Sequence, residues 1–133
     1  MKPFSITLSV RDYELDIQGV VNNAIYQNYL EHARHEFLKK IGLDFIALHN
    51  QGTDPVVHKI ELEYKKPLQG GDVFEVQVRA EQEGNLRFIF WQDIFLKENQ
   101  THILKAKVTA VFMKNGRPIR PPKKVIEALH NQA

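Results

Sequence analysis

Apolar residues along this chain repeat first at period two, then at helical spacing, then at period two again. Phe4, Ile6, Leu8 and Val10 alternate with polar neighbours, the pattern of a strand with one buried face. An irregular stretch containing Asp16 and Gly19 follows. Asn22-Asn23 then stands where a helix N-cap is expected, and Tyr26, Tyr29, Leu30, Ala33, Phe37 and Ile41 fall on one helical face. Gly42 is placed to stop that helix, and residues 43–49 predict one or two further turns before Gly52.

From there four segments return to alternation. His58, Ile60, Leu62 and Tyr64 form the first, and Phe74, Val76, Val78 and Ala80 the second. Residues 86–96 are apolar on both faces, with Phe88, Phe90 and Ile94 on one and Ile89, Trp91 and Phe95 on the other, so this strand is expected to be covered twice. Leu104, Ala106, Val108, Ala110 and Phe112 complete the set. Breaks fall at Pro67–Asp72, Gly84-Asn85, Glu98-Asn99 and Asn115-Gly116, and Pro121-Pro122 admits a short final helix with Val125 and Leu129. Connections this short favour antiparallel hairpins, because parallel pairing needs a crossover of roughly a dozen residues. The expected class is α+β: a curved antiparallel sheet of about five strands wrapped round one long helix, over a single domain spanning residues 1–133. The outer face and the edge strand would remain uncovered, which makes a homodimer, paired into a homotetramer, the natural completion.

Composition narrows the chemistry. The 133 residues are 43% hydrophobic and 26% charged, ordinary for one globular core that buries roughly two thirds of its unfolded surface. There is no cysteine, which removes thiol nucleophiles, disulfides and Cys-ligated metals, and fits a reducing compartment such as the cytoplasm. No apolar run reaches the roughly 20 residues of a membrane span, and the N-terminus lacks a signal-peptide pattern. With 18 Lys+Arg against 16 Asp+Glu, a net +2, nucleic acid is not an expected partner.

The stretch V-R-D-Y-E-L-D-I-Q-G-V-V-N-N-A-I-Y-Q-N-Y from Val10 to Tyr29, continuing through E-H-A-R-H-E-F-L at 31–38, closely resembles the opening of hot-dog-fold thioesterases of the 4-hydroxybenzoyl-CoA thioesterase type. Within that group it is most similar to the plant acyl-lipid, methylketone-synthase-like acyl carrier protein thioesterases and their bacterial relatives. The resemblance implies a hot-dog fold and hydrolysis of an acyl thioester carried by coenzyme A or acyl carrier protein, with no cofactor. It also implies that Asp16, three residues before Gly19, is the catalytic acid.

The chemistry of the residues agrees with that implication. Thioester hydrolysis needs an attacking oxygen and a way to stabilise charge on the carbonyl oxygen. Asp16 can supply the first, by direct attack or by deprotonating water. Backbone N–H groups around Asn22 and Asn23, unpaired at the positive end of a helix, can supply the second, and Gly19 lets the main chain turn closely. Val20, Val21 and Tyr26 flank these positions as candidate substrate contacts. Taken by spacing alone, an Asp ahead of a helix is a turn or capping residue. His32 and His35 beside Glu31 and Glu36 follow neither zincin order, so no metal is expected; both lie off the apolar stripe. Arg34 borders that stripe, where an ion pair on the helix surface is the simple account. Lys65-Lys66, Arg117, Arg120 and Lys123-Lys124 could meet coenzyme A phosphates or an acidic carrier, and the Trp91–Phe95 face an acyl chain or a second subunit. Two other functions compete: a hot-dog hydratase or dehydratase, and a non-catalytic acyl-CoA-binding module. The first is disfavoured because the first histidine of the chain, His32, comes well inside the helix.

Overall fold

The computed structural model describes residues 3–131. Strand β1 (Phe4–Ser9) runs through a 3₁₀ turn (Asp12–Glu14) into the long helix α1 (Ile25–Lys40), followed by the short helix α2 (Phe45–Asn50). Strands β2 (Asp54–Tyr64), β3 (Val73–Glu83), β4 (Arg87–Leu96), β5 (His102–Lys114) and β6 (Arg117–Ile119) come next, and α3 (Lys123–Asn131) is last. All strand pairs are antiparallel, in the order β1-β3-β4-β5-β2, with β6 also on β5. This is the expected antiparallel sheet and long helix. Among the described residues, no helix is long and apolar enough to cross a membrane.

The alternating residues explain the core. Phe74, Val76, Val78 and Ala80 of β3, Phe88, Phe90 and Ile94 of β4, and the apolar positions of β5 turn inward onto the α1 stripe. Ring contacts join the layers: Tyr29 to Phe74 at 4.7 Å, Phe4 to Phe37 at 5.6 Å and Phe37 to Phe90 at 6.3 Å between centroids. Each such side chain contributes roughly 1.5–3 kcal/mol by leaving water. Helix α1 ends where Gly42 takes φ +84 and the Leu43 N–H bonds back to the Leu38 carbonyl at 2.9 Å.

Four details depart from the sequence pattern. Asn22-Asn23 is not the residue pair at the helix boundary: α1 begins at Ile25 after Ala24, and Asn22 instead caps from two residues earlier, its Oδ1 accepting from the Ala24 N–H at 3.0 Å. Arg34 and Leu38 of α1 are buried, while Ile41, just past the end of the helix, is only half-buried. Strand β2 starts at Asp54, four residues before its alternation; a bulge between Val57 and Lys59 leaves His58 without a partner and shifts the phase. The sixth strand is folded back by Asn115 and Gly116, both at positive φ (52 and 76), in a two-residue hairpin turn.

Strand β2 is an edge of the sheet and leaves Val56, Val57, Ile60 and Tyr64 exposed. On the outer face, Trp91 is half-buried between Arg79 and Lys107, and its Nε1 donates to Glu81 at 2.7 Å. Phe95 stacks on His102 at 4.7 Å.

Candidate active site

The segment from Val10 to Asn23 has no regular structure of its own beyond the 3₁₀ turn, so its shape rests on where its polar groups are satisfied. The Val10 N–H donates to the Asp72 carbonyl at 2.9 Å, tying the end of β1 to the β2–β3 connection. Glu14 is buried, at 8% exposure. Its Oε1 accepts from the Arg11 N–H and from the Tyr29 hydroxyl of α1, each at 2.8 Å. Burial, and next the bond to Glu14, push the Tyr29 phenol well above its ordinary value.

Beyond Glu14 the chain makes a tight reversal. Leu15 and Val21 form a bridge, the Asp16 N–H donates to the Val20 carbonyl at 2.8 Å, and the Gly19 N–H to the Asp16 carbonyl at 3.1 Å. Gly19 sits at φ +79, where a side chain is strained. Asp16 Oδ1 accepts from the Gln18 N–H at 2.8 Å and, more weakly, from the Val20 N–H at 3.4 Å. The turn reading of Asp16 therefore describes one of its oxygens. Oδ2 has no protein partner among the described residues, so half of the carboxyl group remains available for chemistry.

The reversal is pressed against the β2–β3 connection. Val20 bridges to Gln69, the Val21 N–H donates to the Leu68 carbonyl at 2.9 Å, and a Cβ on Gly70 would meet Leu15 at 3.0 Å. The Leu68 N–H in turn donates to the Tyr26 hydroxyl oxygen at 2.9 Å. Burial raises the Tyr26 phenol, with the Leu68 bond acting the other way. Tyr26 is thus a structural link between α1 and this connection, at 2% exposure.

At the helix start the available donors are fewer than the sequence suggested. The Asn22 N–H is taken by the Glu14 carbonyl at 3.0 Å, Ala24 by the Asn22 side chain, and Ile25 by the Asn22 carbonyl at 2.9 Å. The Asn23 N–H alone of these four has no protein acceptor among the described residues. Tyr64 marks the spot from β2, donating through its hydroxyl to the Asn23 carbonyl at 3.2 Å. Lys65 and Lys66 follow directly, their N–H groups both on the Ile103 carbonyl. Lys65 is paired with Glu63 at 3.0 Å, whereas Lys66 is exposed and in no ion pair among the described residues.

Asp16, Gly19, Val20, Val21, Asn22, Asn23, Tyr26 and Lys65-Lys66 therefore share one end of the molecule. Arg117, Arg120 and Lys123-Lys124 do not join them: β6 pairs with the far end of β5, roughly 30 Å along the strand from Ile103. His32 and His35 are exposed, and His35 faces Phe45 at 6.4 Å. Glu14 was missed because nothing in an irregular stretch marks one acid as buried. Gln92 did carry a signal, a polar residue in phase with Phe88, Phe90 and Ile94. It is 0% exposed, and its Oε1 accepts from Arg34 Nη1 at 3.1 Å.

Against known proteins, residues 10–129 match the family described as the thioesterase-like superfamily. The chain belongs to that superfamily. It is 41% identical over 121 residues to the chloroplastic acyl-acyl carrier protein thioesterase ATL3 of Arabidopsis thaliana, covering 90% of this chain and 64% of that protein. It thus spans somewhat under two thirds of its plant relative. It is 30% identical over 105 residues to the long-chain acyl-CoA thioesterase FadM of Escherichia coli, covering 78% of each. A crystal structure of a hypothetical protein from Aquifex aeolicus superposes with a TM-score of 0.88 at 35% identity, over 96% of this chain and 99% of that one. As a superfamily member, the chain has its Asp16 reversal and helix start inside the matched region.

Proposed function

We propose that the chain is a thioesterase that hydrolyses acyl thioesters of coenzyme A or acyl carrier protein to the free acid and the thiol. One observation carries the reading. At the junction of the reversal and the helix start, one carboxyl oxygen of Asp16 and the N–H of Asn23 are both without protein partners among the described residues. An unpaired acceptor and an unpaired donor at the start of a helix are what a polarised carbonyl and its attacker require. The similarity to an acyl-acyl carrier protein thioesterase and to a long-chain acyl-CoA thioesterase supports the same substrate class.

Asp16 acts as nucleophile or general base. As a base, its Oδ2 takes a proton from water, the water oxygen adds to the thioester carbon, and the C–S bond breaks as the thiolate recovers the proton. As a nucleophile, Oδ2 itself adds and expels the thiolate, and water then hydrolyses the mixed anhydride. In both, the Asn23 N–H and the helix dipole meet the carbonyl oxygen as it gains charge. The steps call on no cofactor. Lys66, unpaired beside Tyr64, is placed to meet a phosphate or an acidic carrier. The hydratase alternative lacks a group: His32, the first histidine, is exposed two turns into α1.

The site is completed by a second copy. The fully exposed Ile17 at the tip of the reversal and the exposed apolar residues of the β2 edge are surfaces a homodimer would cover. Two β2 edges joined antiparallel about a two-fold axis set the two α1 helices side by side in opposite directions. Each helix start then faces the partner's helix end. The Trp91 face offers a second surface for pairing dimers into a tetramer.

Hydrolysis of a panel of acyl-CoA and acyl carrier protein thioesters by the native protein and by Asp16→Asn tests the mechanism. We expect turnover to fall by about 10³-fold or more with binding mostly retained. Native protein that releases no thiol, or a variant with unchanged rates, rejects it.

A further inference from the structure

Acidic residues are missing from one long stretch of the chain. Residues 99–126 contain no Asp or Glu and seven Lys or Arg, which leaves 11 Lys and Arg against all 16 Asp and Glu elsewhere. The net charge of +2 thus conceals a basic segment on an otherwise acidic protein. Two of the seven cations are matched by neighbours: Lys105 is paired in register with Glu63 and Asp93, and Lys107 lies 5.3 Å from the centre of the Trp91 ring. The other five, Lys114, Arg117, Arg120, Lys123 and Lys124, occupy the β5–β6 hairpin and the start of α3, and all are exposed.

Folding concentrates these charges instead of dispersing them. Lys114 and Arg117 stand directly opposite each other across the hairpin, and like charges so placed weaken a strand pair. Lys123 and Lys124 open α3, whose first turn has no acid, at the end where the helix dipole disfavours cations. Lys123 reaches Glu127 only at 4.0 Å, with both side chains exposed, and the other four form no ion pair among the described residues. Charge held at a local cost in both elements suits a partner that brings acids from outside.

We propose that the β5–β6 hairpin and the start of α3 dock an acidic acyl carrier protein, whose thioester is then hydrolysed at the Asp16 end of the partner subunit. This rests on the thioesterase reading and on the paired β2 edges. Asp54, the first residue of β2, is in register with Met113 beside the hairpin, and antiparallel joining of two β2 edges brings the partner's Tyr64 end to the same side. Only β2 then stands between the hairpin and the partner's β2, a lateral step of two strand spacings, roughly 10 Å. A protein carrier fits better than the phosphates of coenzyme A, because Arg117 and Arg120 alone are roughly 10 Å apart along extended chain, and the cations continue into α3. A lipid surface fits less well, because no large apolar side chain is exposed among residues 114–124 to enter it.

The test compares hydrolysis of acyl carrier protein and coenzyme A thioesters of matched acyl chains by the native protein and by Lys114→Glu/Arg117→Glu. We expect KM for the carrier-protein substrates to rise about tenfold or more with kcat at saturation kept, and both constants for the coenzyme A substrates to stay within about twofold. Added NaCl should lower native kcat/KM on the carrier-protein substrates much more than on the coenzyme A substrates. Lys114→Glu alone separates docking from folding. It places opposite charges across the hairpin, so the denaturation midpoint should hold or rise while KM for the carrier-protein substrates still rises about threefold. Equal losses on both carriers, which would assign the hairpin to coenzyme A phosphates, overturn the proposal, as does an unchanged KM for the carrier-protein substrates. Sedimentation with phosphatidylglycerol vesicles that the double variant loses, with KM unchanged, assigns the hairpin to a lipid surface and overturns it likewise. A native protein that hydrolyses only the coenzyme A thioesters defeats this inference alone; one that hydrolyses neither set defeats the thioesterase reading with it.

Discussion

The two ends of α1 treat buried polar groups in opposite ways. At its start, bonds within the Asp16 reversal and to Leu68, Gln69 and Tyr64 fix the backbone, and one carboxyl oxygen of Asp16 and one N–H of Asn23 have no protein partner among the described residues. Toward its end, a single guanidinium is held by Gln92, 58 residues away in sequence, beside an apolar cavity between α1, α2 and α3, with Glu31 acting on its charge. The proposed reactive groups are thus placed by a short folded loop braced on the β2–β3 connection, and the guanidinium by distant elements packed together. Chemistry needs an attacker and a donor held at a fixed offset, which a tight turn braced from a neighbouring connection secures.

Separating the ends experimentally should produce graded effects. The largest is Asp16→Asn, with about 10³-fold or more lost in turnover and an unchanged denaturation midpoint, since Oδ1 can still accept from the Gln18 N–H. Loss of stability in proportion to activity would mean that Asp16 serves the turn alone.

Gln92→Leu is expected to cost about 1–3 kcal/mol in urea unfolding, because it strips Arg34 Nη1 and the Leu30 carbonyl of their partners at a fully buried position. Short-chain substrates should keep their rate constants in the folded fraction. Tyr29→Phe should cost about 1–2 kcal/mol, having removed one of the two donors to buried Glu14. Faster hydrogen exchange should follow at the Asn22 amide, which is bonded to the Glu14 carbonyl, but not in β4.

Gly19→Ala should cost about 1 kcal/mol for its φ of +79, with open space around the new methyl group. The smallest effect is in alkali. Because burial and the bond to Glu14 raise the Tyr29 phenol above its ordinary value of 10.0, its contribution is complete below pH 10. It is lost as pH climbs past that point, where the unfolded chain ionises first. Native protein should therefore lose stability more steeply above pH 10 than Tyr29→Phe.

Much of this was legible in advance. The strand periods located β1, β3, β4 and β5, and the stripe from Tyr26 to Phe37 located α1, because burial on one face is written directly as spacing. Residues 115–116 were recognised as a break, but their two positive φ values, and so β6, depend on a hairpin whose second strand is three residues long. The motif from Val10 onward marked Asp16. It did not reveal that Oδ1 is committed to the turn or that the Asn22 N–H is already bonded to Glu14, since both depend on the path of the backbone between them.

Sequence by itself determined the element order and the antiparallel class, because those follow from local periodicity and turn chemistry, and its resemblance to a family marked the stretch proposed to carry the reactive groups. Tertiary structure decided which donors stay free, that Arg34 turns inward rather than pairing on the helix surface, and that Gln92 meets it. Those outcomes depend on contacts between segments far apart in the chain, where one buried polar group is satisfied only by another that folding brings to it.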